Sequence, residues 1–90
     1  MKVARRVRFY GQVQGVNFRR NVANLAQKTG VYGWVKNLED GSVEAHMEGE
    51  EHVVQRLIQM CCTELFPARV ERYHSDVDEI GNLEDFRVIM

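Results

Sequence analysis

The chain has 90 residues, 44% hydrophobic and 28% charged, with a formal net charge of −1. This fits one small globular domain built from two layers of regular structure. It gives no bulk electrostatic bias toward nucleic acid or an anionic membrane, and no apolar run approaches the ~20 residues that cross a bilayer.

A single proline argues against linkers and disorder. The basic N-terminus runs into Val7-Arg8-Phe9-Tyr10 rather than into the apolar core of a signal peptide. Cys61 and Cys62 are adjacent, a spacing that suits disulfide geometry poorly. A reducing, cytoplasmic setting is therefore the expectation. Charge is unevenly placed: Lys2, Arg5, Arg6, Arg8, Arg19 and Arg20 load the first part of the chain, and Asp76 to Asp85 is acidic.

Residues 3–10 alternate, with Val3, Val7 and Phe9 on one face and Ala4, Arg6, Arg8 and Tyr10 on the other, which predicts a half-buried strand. Arg5 shares the apolar face and is expected near a sheet end. Residues 11–17 form a loop with a glycine near each end. From Phe18 the period becomes helical, with Phe18, Val22, Leu25 and Ala26 as the apolar stripe and Gly30 as the terminator. Arg19 and Arg20 then fall in the first turn. The helix dipole is already positive there, so two cations make better sense beside an anion.

Val31 to Leu38 reads as a second strand. Asp40-Gly41 suits a tight turn, and Val43, Ala45 and Met47 alternate with Glu44, His46 and Glu48 in a third strand. Glu50 and Glu51 open a second helix with a stripe of Val54, Leu57, Ile58, Cys61 and Leu65. Ala68 to Val77 is a fourth strand, Asp78 to Glu84 a polar loop, and Phe86 to Met90 a short fifth strand. This order predicts an α+β fold, the ferredoxin-like split β-α-β arrangement, with two helices on one face of an antiparallel-rich sheet. The first two strands are joined by a helix and run parallel, so the 11–17 loop and the Lys36-Asn37 segment meet at one sheet edge.

A glycine-bearing loop ahead of a helix start offers converging backbone N–H groups, and phosphate is their usual guest. The loop is neither a Walker motif nor a dinucleotide fingerprint. Gly11-Gln12-Val13-Gln14-Gly15-Val16-Asn17-Phe18-Arg19 resembles the first signature of the acylphosphatase family. Gly33-Trp34-Val35-Lys36-Asn37, followed by Asp40-Gly41-Ser42-Val43, resembles the second, and Phe86-Arg87-Val88 resembles the family's closing strand. The resemblance covers essentially the whole chain. It implies hydrolysis of small acyl phosphates to carboxylate and phosphate. No cofactor or metal is expected, free phosphate is expected to act as a competitive inhibitor, and a monomer is the default. By resemblance, Arg19 stands at the phosphate-binding arginine and Asn37 at the asparagine that orients the attacking water. The backbone N–H groups of Gln14, Gly15, Val16, Asn17, Phe18 and Arg19 stand at the phosphate cradle. Asn17 departs from the glycine or aromatic residue expected before Phe-Arg, and Phe66-Pro67 departs from Gly-Pro.

The alternatives are a non-catalytic anion-binding module and an RNA-binding module of the same topology. The latter needs exposed aromatics on the central strands, and residues 42–48 supply none. His46, His52 and His74 with the two cysteines lack zinc-ligand spacing. His46 and His74 are expected at the surface, Cys61 in helix packing, and Asp40 as a turn former. Trp34 and Tyr32 share a strand face with Lys36 and are expected to pack at the core or sheet edge.

Overall fold

The computed structural model describes residues 1–89, and Met90, the last residue of the expected fifth strand, lies outside them. The elements are β1 (Lys2–Gln12), α1 (Phe18–Thr29), β2 (Tyr32–Asn37), β3 (Val43–Glu50), α2 (Glu51–Thr63), β4 (Arg69–Val77) and β5 (Phe86–Ile89). The sheet runs β4-β1-β3-β2-β5. β1 and β2 both pair antiparallel with β3, and β5 adds parallel to β2. This is the ferredoxin-like arrangement.

The core lies between the sheet and both helices. Val7, Phe9, Val35, Val43, Ala45 and Met47 of the strands meet Phe18, Val22 and Ala26 of α1 and Val54, Leu57, Ile58 and Cys61 of α2. Burial of each large side chain contributes roughly 1.5–3 kcal/mol. α1 ends as its sequence requires, since Gly30 adopts the left-handed conformation and its N–H reaches the Ala26 carbonyl. Gly33 has another purpose: a Cβ there would run into the carbonyl of His46, so only glycine lets β2 close on β3.

The opposite sheet face departs from the sequence expectation. Alternation along β3 places Glu44, His46 and Glu48 away from the helices, yet all three are buried, and Glu48 is 0% exposed. The segment 78–85 folds back over this face. The Leu83 N–H donates to Glu48 Oε1 at 3.1 Å, and the Gly81 N–H donates to Glu48 Oε2. His46 lies between two carboxylates, with Nε2 2.6 Å from Glu48 and Nδ1 2.7 Å from Asp78. Asp78 also accepts from Arg6 Nε at 2.7 Å, and the Trp34 ring stacks on His46 at 6.0 Å. His46 is therefore not a surface residue. It joins the returning segment to the central strand, while His74 remains exposed beside Asp76.

Burial acts to raise the Glu48 carboxyl, but His46 and the N–H groups of Gly81 and Leu83 outweigh it and hold the group below its usual range. A depressed carboxyl stabilises the fold above its unfolded pKa, and that contribution is lost as pH falls through the folded one. Glu48→Gln is expected to lower unfolding free energy at pH 7 by about 3–5 kcal/mol, as for a broken buried pair. The gap from wild type should narrow below about pH 4. Urea unfolding of both proteins at pH 7 and pH 3.5 checks this. An undiminished gap at acid pH would show that the carboxylate charge is not the stabilising feature.

Candidate active site

Both β1 and β2 flank β3, so their C-terminal ends emerge at the same edge of the sheet. β1 carries residues 13–17 into α1, and β2 ends at Asn37. Val13 and Phe18 are buried and pin the two ends of the loop, with the Phe18 ring edge-on to Phe9 at 5.3 Å. Between them the backbone turns twice through the left-handed region, at Gly15 (φ 78°) and at Asn17 (φ 60°). Asn17 is thus in a glycine-like conformation, which asparagine adopts more readily than other side-chain-bearing residues. It is the N-cap residue of α1, but its side chain makes no capping hydrogen bond.

Helix starts leave N–H groups without intrahelical partners. Here, no acceptor among the described residues takes a hydrogen bond from the backbone N–H groups of Gln14 through Arg19. Asn21 is the first residue of the turn to donate, to the Asn17 carbonyl at 3.0 Å. The first turn holds no acidic residue. Arg19 is half-buried, and its Nη1 donates to the Ile89 carbonyl of β5 at 3.3 Å. Arg20 is exposed.

The loop is fixed to the β2–β3 turn by a side chain whose part the sequence did not reveal. Gln14 Nε2 donates to the carbonyls of Leu38 and Ser42, at 2.8 and 2.9 Å. That turn is itself closed by Asp40, which accepts from the Ser42 N–H at 2.9 Å and from its hydroxyl. The Ser42 hydroxyl and N–H hold the Asp40 carboxyl below its usual range. Asp40 is thus a turn former.

Asn37 stands opposite the loop. Its Oδ1 is buried and has no hydrogen-bond partner among the described residues. A buried acceptor without a partner is unfavourable unless a ligand or water supplies the donor. Gln14, Gly15, Asn17, Phe18, Arg19 and Asn37 all line one cavity of about 620 Å³, within the usual size of small-molecule clefts. Val16 does not line it, and its side chain packs on the core. The cavity extends along α1 past Arg20, Ala23, Asn24 and Gln27, and is walled by Phe86 and Val88 of β5. Sequence reasoning did not single out Asn24 or Gln27, although the i, i+4, i+7 spacing of Arg20, Asn24 and Gln27 marks one helix face, and it read Val88 as part of the closing strand without placing it at a cavity.

The ionisable side chains lining this cavity among the described residues are Arg19 and Arg20. Cys61 is buried in the core, and burial pushes its thiol well above the usual range, so it is no thiolate nucleophile. Among the described residues no cluster of His, Cys, Asp and Glu has metal-binding geometry.

The acylphosphatase family model matches residues 5–88. An acylphosphatase of Thermoplasma volcanium is 46% identical over 88 residues, covering 98% of each chain. Among solved structures, an acylphosphatase from Bacillus subtilis superposes with a TM-score of 0.93 at 30% identity, covering 100% of both chains. Full-length HypF, solved in a phosphate- and nucleotide-bound form, contains a similar region: TM-score 0.88 at 26% identity, over 100% of this chain and 12% of that one.

The left-handed backbone at Asn17 yields a direct test. A non-glycine residue without a local polar side chain costs roughly 1–2 kcal/mol in that conformation. Asn17→Ala is expected to destabilise the protein by about 1 kcal/mol, and Asn17→Gly to change stability by a few tenths. Denaturant unfolding of the two variants checks the contrast. Equal losses in both would point to the asparagine side chain instead of the backbone.

Proposed function

The chain belongs to the acylphosphatase family, and from that premise we propose how its cavity performs the reaction. The activity is hydrolysis of the carboxyl-phosphate bond of acyl phosphates, giving carboxylate and inorganic phosphate. In the proposed arrangement the phosphate sits on the N–H groups of Gln14, Gly15, Val16, Asn17, Phe18 and Arg19, and the Arg19 guanidinium grips its oxygens. Asn37 Oδ1 accepts a hydrogen bond from a water molecule and aligns it with phosphorus. The observation that carries this reading is the meeting, in one cavity, of Arg19, the buried Asn37 oxygen and the loop residues Gln14, Gly15, Asn17 and Phe18, with neither that oxygen nor the loop N–H groups partnered among the described residues.

The chemistry needs little else. Water oxygen bonds to phosphorus as the bond from phosphorus to the acyl oxygen breaks, and the carboxylate departs without needing a proton. Phosphoryl transfer through a loose transition state is accelerated mainly by alignment and charge stabilisation. Backbone N–H groups and an arginine supply fixed positive potential where negative charge builds up, and arginine keeps its charge at any working pH. Asparagine positions the water but takes no proton from it, so the proton passes to a phosphate oxygen of the substrate. The lining supports this, because its ionisable side chains among the described residues are arginines. The reading includes a cytoplasmic monomer that uses no cofactor, with phosphate as a competitive product inhibitor.

Arg19→Ala is expected to lower kcat/KM for benzoyl phosphate by at least ~10³-fold, and Asn37→Ala to lower kcat by roughly 10²–10³-fold. Both should remain folded by circular dichroism. Free phosphate at saturation should raise the melting temperature of wild type and do so far less for Arg19→Ala. Turnover that survives loss of Arg19, or a kcat profile governed by a protein base, would refute the assignment.

A further inference from the structure

Arg19 and Arg20 are successive residues on a helix, so their side chains leave it roughly 100° apart in azimuth. Arg19 reaches toward β5, where it meets the Ile89 carbonyl. Arg20 lies on the face that continues through Ala23, Asn24 and Gln27, and that face lines the cavity beyond the loop. Gln27 is anchored from its far end to β5, its Nε2 donating to the Phe86 carbonyl at 3.3 Å. The result is a groove with Phe86 and Val88 on one wall and a cation and two amides on the other. Arg20 has no hydrogen-bond or ion-pair partner among the described residues. The turn that carries it holds no acid, so a second cation stands at the positive end of the helix dipole without a compensating charge.

Resting on the assignment of Arg19 and the loop N–H groups to the phosphate, we propose that Arg20 is a specificity residue for a second anionic group, a carboxylate on the acyl portion of the substrate. One guanidinium flanked by neutral amides balances a single negative charge. The backbone donors that would suit another phosphate are taken up at the loop. A guanidinium fork matches a carboxylate in shape as well as charge. The apolar wall of Phe86 and Val88 suits the hydrocarbon that joins the two ends of such a molecule. The substrate class is therefore the monophosphate of a short dicarboxylic acid.

Rigid substrates test this without internal cyclisation. kcat/KM is measured for benzoyl phosphate, 3-carboxy- and 4-carboxybenzoyl phosphate, and the matching carbamoylbenzoyl phosphates, with wild type, Arg20→Gln and Arg20→Lys. Comparing carboxylate with amide holds size constant, and comparing enzymes cancels intrinsic reactivity. Wild type is expected to favour at least one carboxylate over its amide by about tenfold, as for a charge-assisted contact at a partly exposed site. That preference should shrink with salt, vanish in Arg20→Gln and largely return in Arg20→Lys. Wild type that hydrolyses benzoyl phosphate, with the same carboxylate-to-amide ratio as Arg20→Gln, overturns the inference alone. An equal loss on every substrate in Arg20→Gln also overturns it, and assigns Arg20 to the phosphate. Wild type inert on all of them would refute the phosphate assignment beneath it.

Discussion

Strand β3 is paired antiparallel on both sides, and this obliges β1 and β2 to run in the same direction. Everything at the cavity follows from that constraint. Parallel strands end at the same edge, so the loop after β1 and the residue that ends β2 face each other although a whole helix separates them in sequence. Close contact between β2 and β3 at Gly33 holds the two edges at a fixed spacing. The Gln14 amide then ties the loop to the β2–β3 turn through two carbonyls, so the N–H groups of the loop and Asn37 belong to one rigid unit. Preorganisation of this kind matters for a reaction in which geometry and potential do most of the catalytic work.

The potential in the cavity has one sign. Arg19 and Arg20 line it beside a helix start, the loop N–H groups meet no acceptor among the described residues, and no carboxylate stands among the lining residues. A protein that needed only a stable helix would place acids in that turn and bases in the last one. The last turn of α1 does carry Lys28, as stability favours, whereas the first turn opposes it. Local cost at one end of an otherwise ordinary helix is the usual mark of a functional site.

The opposite face of the sheet supports the site from behind. Segment 78–85 leads directly into β5, whose Phe86 and Val88 wall the cavity and whose Ile89 carbonyl receives Arg19. The contacts of His46 with Glu48 and Asp78, and those of Glu48 with Gly81 and Leu83, fix that segment before it enters the sheet. A charged network covered in this way stabilises a fold weakly compared with apolar packing, but it specifies register strongly because each partner is costly to leave unpaired. Among the described residues β5 pairs with β2 from Gly33 opposite Phe86 to Lys36 opposite Ile89, and such a short strand gains from this external fixing.

The element order, the core stripes of both helices and the meeting of the loop with Asn37 were legible in the sequence, because each rests on periodicity or on a turn residue with one strong conformational preference. Boundaries were less so. Gly11 and Gln12 read as loop, yet they extend β1 after a shift in register beside β4, where Gly11 lies too close to the Arg69 carbonyl for any Cβ. Burial of His46 was not legible, since strand alternation reports which side a residue faces and not whether a distant segment returns to cover that side. Gln14 was visible only through its backbone, because the acceptors of its side chain belong to a turn that meets it in space alone. Asn17 shows the converse. In sequence it departs from the residue expected before Phe-Arg, but its conformation is the one a glycine would take, so it keeps the path of the backbone and adds a polar side chain at the edge of the cavity.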